Sequence, residues 1–280
     1  MNHWHTDFHS PHRGLTFAVE QLLHTEQSAF QKIEVLQTPA FGKVLLLDDV
    51  LMLTETDEFT YHEMLAHPAL FSHPEPQSVL IIGGGDCGTL TRVLQHSTVS
   101  RVLMVELDER VTRVSKRFFP QLAKAGDDPR AELLFADGIG FVRDTEEQFD
   151  VILIDSTDPV GPAEGLFREP FFADCRRALK PGGILCLQSE SPWMPELGKV
   201  IGEVHRDLRS LFPLVRAYSA AIQTYQAGLW LFQLASTSPD PLAPEVGARI
   251  SSAALPTRYY NRDLHYAAFS LPTFVLEQLG

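Results

Sequence analysis

The chain has 280 residues, enough for one large core or two unequal ones, and its 44% hydrophobic and 21% charged residues are ordinary globular values that argue against disorder. The longest apolar stretches, such as residues 79–82, fall far short of the ~18–20 residues a membrane span needs. A net charge of −13 disfavours nucleic acid and acidic membranes as partners and suits either a cationic small molecule or a plain acidic enzyme.

The opening segment, MNHWHTDFHSPHRG, has neither the basic flank nor the apolar run of a signal peptide, so a cytoplasmic location is expected. Its histidines His3, His5, His9 and His12 sit on an expected mobile end at a spacing that does not point to a metal. From about residue 15 to residue 57, short apolar runs (30–35, 44–47, 50–54) alternate with Pro39, Gly42 and Asp48–Asp49, which reads as antiparallel hairpins. Residues 57–69 read as a helix, with Phe59, His62, Leu65 and Ala66 on one buried face. The run His73, Pro74, Glu75, Pro76 breaks it. This divides the chain into residues 1–74, a β-hairpin domain with a linking helix, and residues 75–280.

Beyond the break the pattern becomes alternating. Strands are expected at 78–82, 101–106, 132–135, 149–155 and 183–188. Helices are expected from the glycine turn to about 96, and at 108–119, 170–179 and 195–211. That order builds a doubly wound, mainly parallel Rossmann-like sheet of the α/β class, which binds ligands at the carboxyl ends of its strands. Three cysteines (Cys87, Cys175, Cys186) without a CxxC pair fit a reducing compartment and supply no zinc site.

The chemistry-bearing residues fall at those carboxyl ends. Gly83, Gly84, Gly85 and Gly88 form a GxGxxG turn between strand and helix, a pattern shared by nicotinamide and S-adenosylmethionine enzymes. Glu106 closes the second strand 18 residues after Gly88, where a carboxylate either binds two ribose hydroxyls or is simply solvated. Asp86 lies inside the turn, where a bound pyrophosphate would be repelled. Asp137-Gly138 follows the third strand, and Asp155 and Asp158 close the fourth; one such aspartate is commonly a helix cap. Clustered carboxylates hold either a metal or an organic cation. The turn lacks GK[ST], so an organic cation is the better fit, and no metal is expected.

Taken together, "LLLDDVLMLTETDEFTYHEML" (45–65), "VLIIGGGD" (79–86), "VELDE" (105–109), "ADG" (136–138), "DSTDPVGPAEGLF" (155–167) and the terminal "RYYN…HYAAFSLP" (258–272) resemble the spermidine synthase family of aminopropyltransferases. The likeness runs from about residue 15 to the C-terminus, and "DSTDPVGPAEGLF" with "GGGD" is far more specific than GxGxxG. The sequence departs from the family where it carries Asp49 and Cys87 for glycine, Met52 for glutamine, and Gln223 and Gln226 for proline. These departures bear on amine selectivity rather than on reaction type.

The resemblance implies transfer of an aminopropyl group from decarboxylated S-adenosylmethionine, a co-substrate, to putrescine, with no cofactor. It makes Asp155 the proton acceptor. Asp86 would hold the donor's ammonium, and Asp158 the distal end of the amine. Tyr61, His62 and Tyr225 would line the acceptor channel, with Glu190 as a further distal partner or a surface residue. Gln31 and Glu106 would meet the methylthioribose; Asp137, Gly138 and Pro162 would meet the adenine. Residues 156–168, rich in Pro and Gly, would gate the site. The family's dimers suggest a homodimer. Other readings are an aminopropyltransferase for cadaverine, agmatine or spermidine, a class I methyltransferase, and a non-catalytic binder of polyamine or nucleoside. The methyltransferase reading leaves Asp86, Asp155 and Asp158 together without a role, because they would repel its donor's carboxylate.

Overall fold

The computed structural model describes residues 3–10, 12–159, 161–225 and 227–280, with the side chains of residues 9, 162 and 195–198 outside that description. The chain opens on an antiparallel hairpin, β1 (His3–Ser10) with β2 (Arg13–Val19). The segment expected to be mobile is therefore paired. Its register holds Thr6 opposite Thr16, their hydroxyls 2.9 Å apart, and His5 Nε2 lies 3.0 Å from the Asp49 carbonyl.

A four-stranded antiparallel sheet follows in chain order: β3 (Gln21–Gln27), β4 (Lys32–Thr38), β5 (Gly42–Leu47) and β6 (Val50–Thr54). Successive side chains of a strand point to opposite faces. Val44 and Leu46 accordingly join Phe17, Leu36 and Leu51 on one side, while Leu45 and Leu47 join Ile33, Val35 and Leu53 on the other. Both residues of the β5–β6 turn are left-handed, Asp48 at φ 49° and Asp49 at φ 67°. A two-residue hairpin of this kind favours glycine, which explains the glycine usual at position 49 in the family. Here Lys32 offsets the departure: its backbone N donates to Asp48 Oδ1 at 2.8 Å and its Nζ to Asp49 Oδ1 at 2.9 Å.

Helix α1 (Glu58–Ser72) connects this sheet to the larger one. One buried face was expected, yet every residue from Thr60 to Ser72 is buried. The helix is enclosed on all sides, and its buried polar residues His62, Glu63 and His67 are each partnered, by Glu58, the backbone at 258–260 and His96 respectively. The alternating region then runs β7 (Ser78–Gly83), α2 (Gly88–Leu94), β8 (Arg101–Glu106), α3 (Glu109–Phe118), α4 (Pro120–Ala123), β9 (Ala131–Phe135), α5 (Gly138–Asp144), β10 (Phe149–Asp155), α6 (Glu169–Ala178), β11 (Leu179–Gln188) and α7 (Pro195–Leu211). A 3-10 segment, Gly161–Phe167, lies between β10 and α6. The chain ends with an antiparallel pair, β12 (Leu214–Ala221) and β13 (Leu229–Ser236), and three helices, α8 (Pro244–Ala253), α9 (Arg262–Ala268) and α10 (Thr273–Leu279).

The seven strands are ordered β12-β13-β11-β10-β7-β8-β9, with β11 to β9 parallel and the β12–β13 hairpin antiparallel at one edge. Val79, Ile81, Val102, Met104, Val151 and Leu153 pack in one core, and their neighbours Leu80, Ile82, Leu103, Val105, Ile152 and Ile154 pack in the other. Burial on both faces is why these strands read as unbroken apolar runs. From β7 the chain winds outward through β8 to β9, then returns to β10 on the other side of β7. The reversal opens a crevice between the ends of β7 and β10.

The far end of the chain is tied to α1 by one buried side chain. The Glu63 carboxylate accepts backbone N–H bonds from Arg258, Tyr259 and Tyr260 at 2.8–3.2 Å. Glu63→Gln turns one acceptor oxygen into an NH₂ facing those donors. Urea unfolding should show a loss of about 2–4 kcal/mol, the scale of charge-assisted bonds and a misplaced buried donor.

Candidate active site

The crevice is a cleft of about 460 Å³ whose floor is the glycine turn. Asp155 pairs with Gly83 across β10 and β7, and Gly84 N donates to the Asp155 carbonyl at 2.9 Å. Gly83 and Gly84 both have positive φ, and a Cβ on Gly83 would overlap that carbonyl oxygen. Only glycine meets both conditions. Cys87, at φ 65°, takes the left-handed position before α2, and burial first of all pushes its thiol up to about 12. A Cβ on Gly88 would strike the His62 ring, so that glycine reserves the histidine's place.

The residues expected at the nucleoside end line one side of the cleft. Glu106 caps β8, its Oε1 accepting from Asp108 N at 2.8 Å, and Gln31 Nε2 donates to Asp108 Oδ2 at 3.1 Å. Glu106 also lies where a Cβ on Gly85 would come within 3.0 Å of its Oε2. Desolvation, opposed by the Asp108 N–H and reinforced by nearby carboxylates, raises Glu106 to about 7. Asp137 lines the cleft and also caps α5, accepting from Ile139 N and Gly140 N at 3.0 and 3.2 Å. Gly138 packs on Ile82, with no space for a Cβ. The side chain of Pro162 lies outside the described residues.

On the other side Asp86 and Asp155 converge with Tyr61, His62 and Tyr225. Asp155 Oδ2 is buried with no partner among the described residues. Desolvation and the Asp86 charge push its carboxyl up to about 6, while His62, Thr89 and Tyr61 pull the other way. Asp86 Oδ1 accepts from Gly88 N at 2.6 Å and lies 3.4 Å from His62 Nε2. Burial would raise Asp86, yet His62 holds it below the usual carboxylate range. The Tyr61 and Tyr225 rings are 5.8 Å apart, and Tyr225 OH donates to the Met52 carbonyl at 2.9 Å. Asp57 fixes this arrangement by accepting from Thr54 Oγ1, Thr224 N and Thr224 Oγ1 at 2.7–2.9 Å.

Asp158 lines the cleft, and Glu190 stands behind it rather than in the wall. Glu190 is fully buried and not a surface residue; its Oε1 accepts from Gln188 Nε2 at 3.3 Å. Burial and the Asp158 charge push its pKa well above the usual carboxylate range. Of the departures from the family, Met52 lines the cleft, Gln223 is exposed and outside the lining, and Gln226 lies outside the described residues. Residues 161–167 of the expected gate form the 3-10 segment, with Ala163 and Leu166 turned into the cleft.

Several contributors, Asp57, Thr224 and Asp108 among them, had not been singled out. Glu58 adjoins His62, Arg92 pairs with Glu58, and Phe8 of β1 lines the cleft although it is 66% exposed. Glu58 was discoverable, being one helical turn before His62; Arg92 and Phe8 meet the site only through the fold.

Residues 58–243 match the spermine/spermidine synthase domain, and residues 3–55 match the spermidine synthase tetramerisation domain. A polyamine aminopropyltransferase of Bacillus mycoides is 45% identical over 276 residues, covering 98% of each chain. That of Bacillus subtilis is 44% identical over 273 residues, covering 97% of each. A spermidine synthase crystallised with the transition-state analogue AdoDATO has a TM-score of 0.94 at 38% identity, covering 99% of this chain and 94% of that one. The Thermotoga maritima spermidine synthase has a TM-score of 0.92 at 36% identity, with the same coverage. Both halves of the chain thus match one family along nearly its whole length: it belongs to the spermidine synthase family and is a polyamine aminopropyltransferase.

Proposed function

We propose that the enzyme transfers the aminopropyl group of decarboxylated S-adenosylmethionine to putrescine, giving spermidine, 5′-methylthioadenosine and a proton. The observation that carries this reading is Asp155, a carboxyl with one unpartnered buried oxygen beside Asp86 at the switch point of the sheet. The analogue bound by the related spermidine synthase supports the same type of reaction. In the step itself the amine nitrogen attacks the aminopropyl carbon next to sulfur. The carbon–sulfur bond breaks, its electron pair neutralises the sulfonium, and the nitrogen's proton goes to Asp155. The sulfonium is already an activated leaving group, so the proposed reaction uses no metal and no cofactor beyond the co-substrate.

The nucleophile sets the difficulty. An alkyl ammonium with pKa ~10.4 costs about 4–5 kcal/mol to present as free amine at pH 7. An acceptor raised from 3.8 to about 6 narrows the gap to the amine, a gain on the order of 3 kcal/mol. That gain is relative to an ordinary aspartate; alignment of nitrogen with carbon lowers the barrier further. In this reading Asp86 holds the donor's ammonium, and Asp158, backed by Glu190, holds the distal end of the diamine. Tyr61, His62 and Tyr225 flank the methylene chain. Gln31 and Glu106 take the methylthioribose; Asp137, Gly138 and Pro162 take the adenine. Residues 156–168 exclude water when the site is filled. A homodimer is part of the proposal, supported by the matched tetramerisation domain, and so is a cytoplasmic location, supported by three free cysteines.

Asp155→Asn keeps the shape but not the basicity, so turnover should fall by roughly 10²–10⁴ while methylthioadenosine still binds. Near-normal turnover would remove Asp155 from the role. Glu106 titrates at about 7 in the free protein, and two hydroxyl donors favour its ionised form. Methylthioadenosine affinity should therefore fall about tenfold per pH unit below 7, with proton release seen by calorimetry in buffers of different ionisation enthalpy. In Glu106→Gln that pH dependence should vanish. Across putrescine, cadaverine, agmatine and spermidine, kcat/KM should be highest for putrescine, since a short diamine matches the assigned partners and spermidine brings an extra ammonium without one. A higher value for another amine would replace the acceptor and leave the reaction type standing.

A further inference from the structure

A line of four ionisable side chains runs from α2 into the cleft. Arg92 Nη2 lies 2.9 and 3.1 Å from the two oxygens of Glu58, and Glu58 Oε2 lies 2.7 Å from His62 Nδ1. His62 Nε2 lies 3.4 Å from Asp86 Oδ1. These side chains are 12%, 9%, 3% and 15% exposed, so water does little to screen them. Each nitrogen of the imidazole therefore faces a carboxylate oxygen. A neutral ring has one donor and one lone pair, and would turn that lone pair on one of the two carboxylates. Only the imidazolium satisfies both.

We propose that Glu58, held in place by Arg92, is a positioning residue that keeps His62 a permanent imidazolium as the fixed countercharge of Asp86. Arg92 and His62 then cancel Glu58 and Asp86, and Asp155 remains the carboxyl whose charge is free to change. The inference rests on the reading of Asp155 as proton acceptor. The groups facing His62 are Glu58 and Tyr61 from α1, Asp86 from the turn after β7 and Asp155 from the end of β10, with Arg92 of α2 behind Glu58. Burial alone would discharge the ring, but Asp86 and Glu58 together raise it to about 10. The space denied to a Cβ at Gly88 keeps the ring where both carboxylates reach it.

Histidine-selective NMR across pH 6–8.5 tests this on the wild-type enzyme, with His62 assigned by comparison with His62→Gln. The His62 signals should stay those of an imidazolium throughout. In Glu58→Gln they should titrate inside that range. Asp86 then lacks its countercharge and competes with Asp155 for a proton. The acidic limb of kcat/KM should move up by about one pH unit, with a smaller change at the plateau, and Glu58→Asp should restore part of the shift. A wild-type His62 that titrates near 6.5 overturns the proposal, and that measurement needs no variant to fold. A Glu58→Gln enzyme that loses activity equally at every pH, with His62 still charged, also overturns it. If instead Asp155→Asn stays active while His62 stays charged, the role given to Asp155 fails and the state of His62 stands.

Discussion

The pairing of Asp155 with Gly83, prolonged by the bond from Gly84 N to the Asp155 carbonyl, is the constraint on which the site depends. It holds two strand ends together at the one place where the sheet reverses its winding. Because β7 and β10 send their chains to opposite faces, the loops beyond them separate and leave a crevice. The glycines let the turn pass directly beneath the Asp155 carboxyl; a Cβ on Gly84 would lie 2.9 Å from its Oδ2. From that contact the turn leads on to Asp86, Gly88 and the space occupied by His62.

So many ionisable groups in one crevice would be costly without an ordered arrangement of charge. The structure alternates signs from Arg92 to Asp86, and each group along the line faces one of opposite charge. Asp155 and Glu106 lie outside this alternation, and both are raised above ordinary carboxyls. A raised carboxyl weakens the folded state as pH climbs from its unfolded value near 4 to its folded value, here about 6 and 7. Above neutral pH the two carboxyls carry charges that the rest of the chain does not fully compensate, and a cation or hydrogen-bond donors beside them would favour those charges.

Much of this was legible in the chain. The strand at 149–155 and the helix at 195–211 have the expected bounds because apolar runs, an acidic end and Pro195 punctuate them. The carboxylates after the parallel strands were readable for the same reason, since the α/β alternation fixes where strand ends meet. Other parts carried no local signal. The hairpin of β1 and β2 is rich in histidine and threonine, and its order comes from pairing and from the contact between His5 and Asp49. The all-round burial of α1 depends on what surrounds it, which periodicity within fifteen residues cannot convey. Arg92 reaches Glu58 across 34 positions, a relation that only the packing of α2 on α1 creates. Glu190 read equally as a distal partner or a surface residue, because its burial follows from β13, whose Leu231 N donates to the Glu190 carbonyl.

Tyr225 comes to the cleft from the antiparallel edge of the sheet, on a loop pinned to the start of α1 by Asp57. The glycine turn, Glu106 and Asp137 come instead from the parallel strands on the other side of the crevice. No strand carries both groups. Divergence in the hairpin loop can therefore alter one wall while the parallel half keeps its shape, provided Asp57 and Thr224 remain partnered. In a lineage under selection for a new substrate, drift would accumulate first along that edge, and the parallel half would be inherited intact.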